Sequence, residues 1–296
     1  MTIVIAGSWR AGFTFTASES MEGFSRKYQP WLAVDPGEDV RCSLDSSWSD
    51  LDLGKVLSTR FTCSLEGSTL VFNKGVLRVK VHQAEEPWRG EANPDQLVSF
   101  LGEMTSRIEM NEQDRFFYTM NLILRALSLA WTAFHRGFLL HASAVAGPDG
   151  RCFLFSGLSG SGKSTAARSC AGYEPVSEDV VEIRMDEEGR VICHSTPLNN
   201  LDKQGGRPFH GPLSGIFLIE QGERMKISTL EPTQAMGLLV KNAMMDCLIP
   251  SRESDFLDVL SGVAEKVPCF VLGFPLGCSL DKVIKDPYAL GPLRSR

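Results

Sequence analysis

Cys152-Phe153-Leu154-Phe155-Ser156-Gly157-Leu158-Ser159-Gly160-Ser161-Gly162-Lys163-Ser164-Thr165 is the stretch that decides how this chain is read. Residues 157–164 match G-x-x-x-x-G-K-[ST] at every fixed position. The apolar run Cys152 to Phe155 reads as a buried strand, and Ser164 to Cys170 can open a helix. Strand, glycine loop and helix is the context in which such a loop cradles phosphate. Glycines let successive N–H groups curl toward a β-phosphate, and a helix N-terminus adds partial positive charge. Lys163 supplies a point charge for the β- and γ-phosphates, and the Ser164 hydroxyl is a candidate Mg²⁺ ligand. The expected nucleotide contacts are Gly157, Ser159, Gly160, Ser161, Gly162, Lys163, Ser164 and Thr165. The motif implies binding of a nucleoside triphosphate.

Outward from the loop, composition sets bounds. The chain has 296 residues, 43% of them apolar and 22% charged, which suits about two globular domains. A formal net charge of −6 and no basic run argue against a nucleic-acid partner or a membrane-surface patch. Met1 to Ala6 is apolar but lacks a charged leader and a long apolar stretch, so it does not read as a signal peptide. Eight cysteines are scattered with no C-x-x-C pair, several inside apolar runs, which suits reduced thiols and a cytoplasmic setting. Phe116 to Phe134 approaches a membrane-spanning length, but Asn121 and Arg125 lie near its middle. Phe117, Met120, Leu124, Leu127 and Ala130 recur at helical spacing, so a core-facing helix and no membrane partner are expected.

Three regions emerge. Residues 1–110 are strand-rich, with strands expected at Ile3–Ala6 and Gly12–Ala17, and a hairpin of Leu70–Phe72 and Val76–Val81 about Asn73-Lys74-Gly75. Trp9, Trp31, Trp48 and Trp88 lie there and read as packing anchors. A connecting helix covers 111–136, from about Glu112 to His135, with Gly137 as its stop. Residues 137–296 read as a mixed α/β nucleotide-binding domain. Its strands are expected at 138–146, the loop strand, Val180–Met185, Arg190–Ser195, Gly215–Glu220, Met225–Thr229 and Pro268–Phe274. Its helices are expected at Pro232–Met245 and Ser254–Lys266.

Chemistry-bearing residues cluster about the loop. His141 sits on the strand before the loop strand, and if the two pair as a hairpin it lies beside the loop's base. Ser177-Glu178-Asp179-Val180 follows one helix later. Adjacent carboxylates there supply an oxygen ligand for Mg²⁺ and an acceptor for a hydroxyl proton. The candidate catalytic set is therefore His141, Lys163, Glu178 and Asp179, and the candidate metal ligands are Ser164, Glu178 and Asp179. A third group, His194-Ser195-Thr196-Pro197 with Lys203, Arg207 and His210, could clamp phosphate or an acidic substrate.

The pattern LLHASAVAGPDGRCFLFSGLSGSGKSTAA…EPVSEDVVEI…STP resembles the catalytic domain of HPr kinase/phosphorylase and its relatives. In that family a histidine precedes the phosphate loop on a neighbouring strand, and an Asp-Asp pair follows it. By position, His141 matches the histidine, Gly157 to Ser164 the loop, and Glu178-Asp179 the acidic pair. The resemblance covers about residues 137–230 and leaves 1–110 outside. It implies a mixed-sheet P-loop kinase fold related to phosphoenolpyruvate carboxykinases, preceded here by a smaller strand-rich domain. It further implies ATP and Mg²⁺, a peptide or protein substrate with a serine hydroxyl, and a homo-oligomer. The chain departs from the family at Ser164-Thr165, where Ser-Glu is usual, and at Glu178 in place of Asp. The downstream Glu-x-Arg-Gly-rich signature tied to phosphorolysis is not readable after Thr196. Kinase chemistry in the forward direction is the expectation, and the chain is more similar to the stand-alone HPr-kinase-related proteins of peptide-modification cassettes, including the ScmC type. The competing expectations are a nucleotide-switched ATPase or binding module without an acceptor, in which Gly215 to Glu220 forms a strand ending in the metal-linked acid, and a kinase acting on a small-molecule hydroxyl.

Overall fold

The computed structural model describes residues 2–6, 10–14, 40–44, 62–74, 77–83, 88–92, 112–198, 207–244 and 248–288. The chain divides into two compact units: Met1–Phe134 with Pro197–Gln204 and Met245–Glu253, and His135–Thr196 with Gly205–Met244 and Ser254–Arg296.

The first unit carries a sheet of strands β1 (Thr2–Ala6), β2 (Arg10–Thr14), β3 (Val40–Leu44), β4 (Thr62–Glu66), β5 (Thr69–Lys74), β6 (Leu77–His82) and β7 (Trp88–Ala92). Their order is β1-β2-β3-β7-β6-β5-β4, antiparallel except for the β2/β3 and β3/β7 pairs. On β6, Leu77, Val79 and Val81 are buried while Arg78, Lys80 and His82 between them are less so, as period-two alternation requires. Helix α1 (Glu112–Phe134) belongs to this unit and buries Met120, Ile123, Leu124, Leu127 and Ala130 at helical spacing. Trp88 meets Trp131 and Phe134 edge-on, at 5.4 and 5.7 Å between ring centroids, so it is a packing anchor. Among the described residues no helix is long and apolar enough to cross a membrane. Trp9, Trp31, Trp48, Gly75, the end of the expected 12–17 strand and the Phe117 side chain lie outside what is described.

The expected helix stop at Gly137 is displaced by one residue. Arg136 takes the left-handed conformation, φ 52°, and Gly137 opens the next strand. Two bonds hold the arginine there: its carbonyl accepts from Met185 N–H at 2.9 Å, and its Nη1 donates to the Asp186 carbonyl at 3.2 Å.

The second unit contains β8 (Gly137–Ala146), β9 (Cys152–Ser156), α2 (Lys163–Arg168), β10 (Glu174–Ser177), β11 (Val180–Met185), β12 (Val191–Ser195), β13 (His210–Gln221) and β14 (Lys226–Thr229). It continues with α3 (Pro232–Asn242), α4 (Glu253–Lys266), β15 (Cys269–Phe274) and α5 (Asp281–Lys285). β8 pairs with β9 and β11, β11 with β12, β12 with β13, and β13 with β9. These five strands therefore close a ring, which leaves fewer open edges. β15 and then β14 extend from β13, and β10 lies beside β8. The β13/β9 and β13/β15 pairs are parallel and the others antiparallel, so the sheet is mixed. Glu231 caps α3 in a capping box with Gln234, ahead of Pro232 at the first helical position. In this unit three expected bounds move by two residues or more: α2 ends at Arg168, α3 at Asn242, and β13 begins at His210, five residues before Gly215.

Alternation on β8 divides two cores. Phe138, Leu140, Ala142, Ala144 and Ala146 join one cluster with Ile183, Cys193, Leu239 and Val263. Val145 joins the other, with Phe153, Phe155, Ala166, Ala167, Phe217 and Phe270. His141 and Ser143 share the Val145 face, the one that carries the helix after the glycine loop. Cys63, Cys152, Cys170, Cys193, Cys269 and Cys278 are free thiols. Phe217, fully buried, stacks on Phe155 and Phe270 at 5.7 and 5.2 Å between centroids. Phe217→Ala should lower unfolding free energy by ~3–5 kcal/mol in denaturant titration, because transfer and cavity terms add. A loss below about 1 kcal/mol would mean this stack is not a principal core contact.

Candidate functional site

The loop between β9 and α2 has the backbone that its glycines predict. Gly157, Gly160 and Gly162 have φ of 149°, 77° and 103°. A Cβ on Gly157 would lie 2.8 Å from Ser161 Oγ and 3.1 Å from the Ile219 carbonyl oxygen, so only glycine fits. Gly162 caps α2 with no side-chain hydrogen bond, which leaves the first N–H groups of that helix without a side-chain acceptor. With six residues, α2 offers these N–H groups more than a long macrodipole. Lys163 is 8% exposed, and its Nζ donates to the carbonyls of Gly157 and Leu158 at 2.9 and 3.0 Å. Ser161 Oγ is buried without a hydrogen-bond partner. Leu158 stands out from the loop, 78% exposed, and Ser159 is exposed beside it. Ser164 and Thr165 are half-buried in the first turn of α2, and the Thr165 carbonyl accepts from Ser169 Oγ at 2.8 Å.

The hairpin of β8 and β9 brings His141 to the base of this loop. Ala142 pairs with Ser156, and Ser156 Oγ donates to the His141 carbonyl at 3.0 Å, one residue before Gly157. On the other side, His141 pairs with Val180 across β8 and β11. His141 Nδ1 and Ala142 N–H both donate to the Asp179 carbonyl at 3.0 Å. A carbonyl only accepts, so Nδ1 carries the proton. Asp179 Oδ1 lies 3.3 Å from the same nitrogen, but the N–H points to the carbonyl. That buried carboxylate oxygen has no hydrogen bond of its own. Glu178 turns elsewhere: its carbonyl accepts from Ser143 Oγ at 3.0 Å, and its carboxylate lies 3.4 Å from Arg168 Nη2 on α2. His141, the loop, Lys163, Glu178 and Asp179 therefore lie together where β9 ends beside the middle of β8.

The residues present fit a nucleoside triphosphate with a divalent ion. Ser161 Oγ and Asp179 Oδ1 are buried polar atoms lacking hydrogen-bond partners, and such atoms in a folded protein call for a ligand, an ion or water. Lys163 is buried at the foot of the loop, where its Nζ donates to two loop carbonyls. Among the described residues no cluster of three or more His, Cys, Asp or Glu forms a metal cage.

The third candidate group is divided. Lys203 lies outside the described residues. Arg207 makes a two-pronged pair with Glu174, its Nε donating to Oε1 at 2.6 Å, so its charge is already matched. Ser195 Oγ donates to the Arg207 carbonyl at 2.7 Å, and Thr196 Oγ1 to the Val180 carbonyl at 2.7 Å. His194 stacks on His210, 5.8 Å between centroids. Glu220 is exposed at the end of β13, the parallel neighbour of β9, and Gln221 Nε2 donates to the Gly160 carbonyl at 3.4 Å. The reading from sequence did not single out Ser143, Ser156, Arg168 or Gln221. Ser143 had a signal, since it is two residues beyond His141 and so on its face of a strand.

No protein-family model and no curated protein matches the chain. Among solved structures it is similar to the Hpr(Ser) kinase/phosphatase from Coxiella burnetii, at 13% identity over 50% of this chain and 86% of that one, with a TM-score of 0.28.

Burial, helped by Arg184 and His210, pushes His194 from the ordinary 6.5 down to about 4. The neutral ring is the form that the fold favours, so the unfolded chain binds a proton first as pH falls. Stability from this group is intact above pH 6.5 and is lost progressively toward pH 4. Glu182 and His210 pair with His194 across the sheet, and Arg184 lies on the same strand as Glu182. Replacing His194 with Gln should flatten the stability profile between pH 6.5 and 4 in denaturant titrations. An unchanged slope would assign the acid sensitivity to other groups.

Proposed function

We propose that the chain is an ATP-dependent kinase that transfers the γ-phosphoryl group to a serine-type hydroxyl of a peptide or protein. The observation that carries this reading is the Asp179 carboxylate, buried with an oxygen that lacks a hydrogen bond, held beside His141 at the base of the glycine loop. A structural carboxylate at such a depth would ordinarily have its lone pairs satisfied. One left open next to a phosphate-type loop suits a role completed by substrate.

In this reading the loop N–H groups and Lys163 hold the triphosphate, and Lys163 exchanges its carbonyl partners for phosphate oxygens. Ser164 would hold Mg²⁺, which would supply charge neutralisation at the triphosphate. The acceptor hydroxyl oxygen bonds to the γ-phosphorus as the bond from that phosphorus to the β–γ bridging oxygen breaks, and ADP leaves. Asp179 takes the hydroxyl proton. His141, fixed by its Nδ1–H bond to the Asp179 carbonyl, presents its other ring nitrogen toward the reacting group and helps to orient it.

A second reading has its own observation in favour. Glu220 is exposed at the end of β13, parallel and adjacent to β9, with Gln221 reaching the loop at Gly160. That is where a nucleotide-switched ATPase keeps an acid for its metal and attacking water. Three variants separate the two. Lys163→Ala should lose ATP binding, measured by calorimetry, while retaining its circular dichroism spectrum. Asp179→Asn should keep its melting temperature near wild type or above, and lose phosphotransfer by about 10²-fold or more, the scale of a missing base. Glu220→Gln should retain most of the turnover. Loss of turnover in Glu220→Gln with activity kept in Asp179→Asn would establish the ATPase instead.

A further inference from the structure

The two acids after β10 are adjacent in sequence and are held in different ways. Three successive carbonyls there are bonded by side-chain donors. Glu178 accepts from Ser143 Oγ at 3.0 Å, and Asp179 from His141 Nδ1 at 3.0 Å. Val180 accepts from Ser177 Oγ at 2.8 Å and Thr196 Oγ1 at 2.7 Å. The backbone of the bend is thus fixed from β8, from β10 and from the residue after β12. The side chains then diverge. Asp179, with its side chain 11% exposed, keeps an oxygen without a hydrogen bond beside His141. Glu178, 24% exposed, points to the Arg168 guanidinium at 3.4 Å. Arg168 is the last residue of α2, and Lys163 is its first.

We propose that Glu178 and Arg168 are positioning residues. Their ion pair ties the acidic bend to the far end of the loop helix, so that Asp179 and Lys163 keep a fixed separation. This rests on the kinase reading for its effect on rate, though the tie itself does not. The proposal divides the acidic pair: Asp179 meets the reacting atoms, and Glu178 acts through Arg168. It also accounts for the glutamate. The extra methylene reaches outward to a partner on a neighbouring helix, which a shorter aspartate at residue 178 would reach less well. Arg168 is 66% exposed on its side chain, so the pair adds little to global stability. Its effect lies in geometry, since a small misplacement of a reacting group lowers rates steeply.

The experiment is a double-mutant cycle on the full chain with Arg168→Ala, Glu178→Ala and their combination, with Arg168→Lys as the conservative variant. Each single alanine should lower kcat about tenfold, through misplacement of Asp179 alone. KM for ATP should stay within about twofold of wild type, because binding through Lys163 and the loop is untouched. The double variant should be no slower than the slower single, since both remove one interaction. Arg168→Lys should recover most of the rate, and melting temperatures should barely move. Hydrogen–deuterium exchange gives a readout that needs no activity: Arg168→Ala should speed exchange in the peptide covering residues 176–182 and leave β9 unchanged. A Glu178→Ala loss as deep as that of Asp179→Asn, with Arg168→Ala silent, would make Glu178 a second chemical carboxylate and overturn the proposal. So would additive losses or unchanged exchange. Wild-type protein that transfers no phosphoryl group would remove the kinase reading, while the exchange result would still decide the tie.

Discussion

Period-two alternation along β8 is the constraint on which the rest depends. Successive residues of a strand point to opposite faces, so a slip of one position would send His141 and Ser143 to the face of Ala142 and Ala142 to theirs. The strand is pinned against that slip from several sides. β9 pairs with its second half, β11 with its first, β10 with its end, and Ala243 bridges to Leu140. Apolar residues on one face fill a cluster with α3 and α4, and Val145 on the other meets the loop helix. With the register fixed, His141 has one neighbour on each side that matters: the residue before the glycine loop and the second acid of the bend.

Electrostatics sets the surroundings of the glycine loop apart from the rest of this unit. Lys163 and Asp179 are both 8% exposed, and a charge at such depth is unfavourable unless bonded. Lys163 meets this with two carbonyls, and Asp179 with a histidine N–H directed at its own main chain. The Oδ1 oxygen of Asp179 has no hydrogen bond. By contrast, the charges that serve the fold are matched at the surface: Arg207 with Glu174, Arg151 with Asp149, Arg190 with Asp186. Their carboxylates are held below the usual range by hydrogen bonds from those arginines.

How much was legible in sequence follows from how local each signal is. The strand, glycine loop and helix were readable because the motif fixes glycines at positions that need positive φ, and the closeness of His141 to the loop followed from expecting the two strands to pair as a hairpin. The long helix and the β11/β12 hairpin were readable from periodicity. The start of β13 was not, because His210-Gly211-Pro212 carries a glycine and a proline, which weigh against a strand. Gly211 is needed there: a Cβ would lie 2.3 Å from the Gly150 carbonyl oxygen. β10 was hidden in the same way by Pro175, tolerated where the pairing with β8 shifts register. Arg168 to Glu178 and Gln221 to Gly160 are tertiary contacts over 10 and 61 residues, and nothing in a single sequence announces them.

The most direct measurement of the central claim is phosphotransfer itself. Purified protein is incubated with γ-labelled ATP, Mg²⁺ and a library of serine-containing peptides, and the products are located by mass spectrometry. The account predicts a phosphoester on a serine hydroxyl, formed together with a matching amount of ADP. ADP and free phosphate with no labelled peptide, at a rate unaffected by any acceptor, would contradict it.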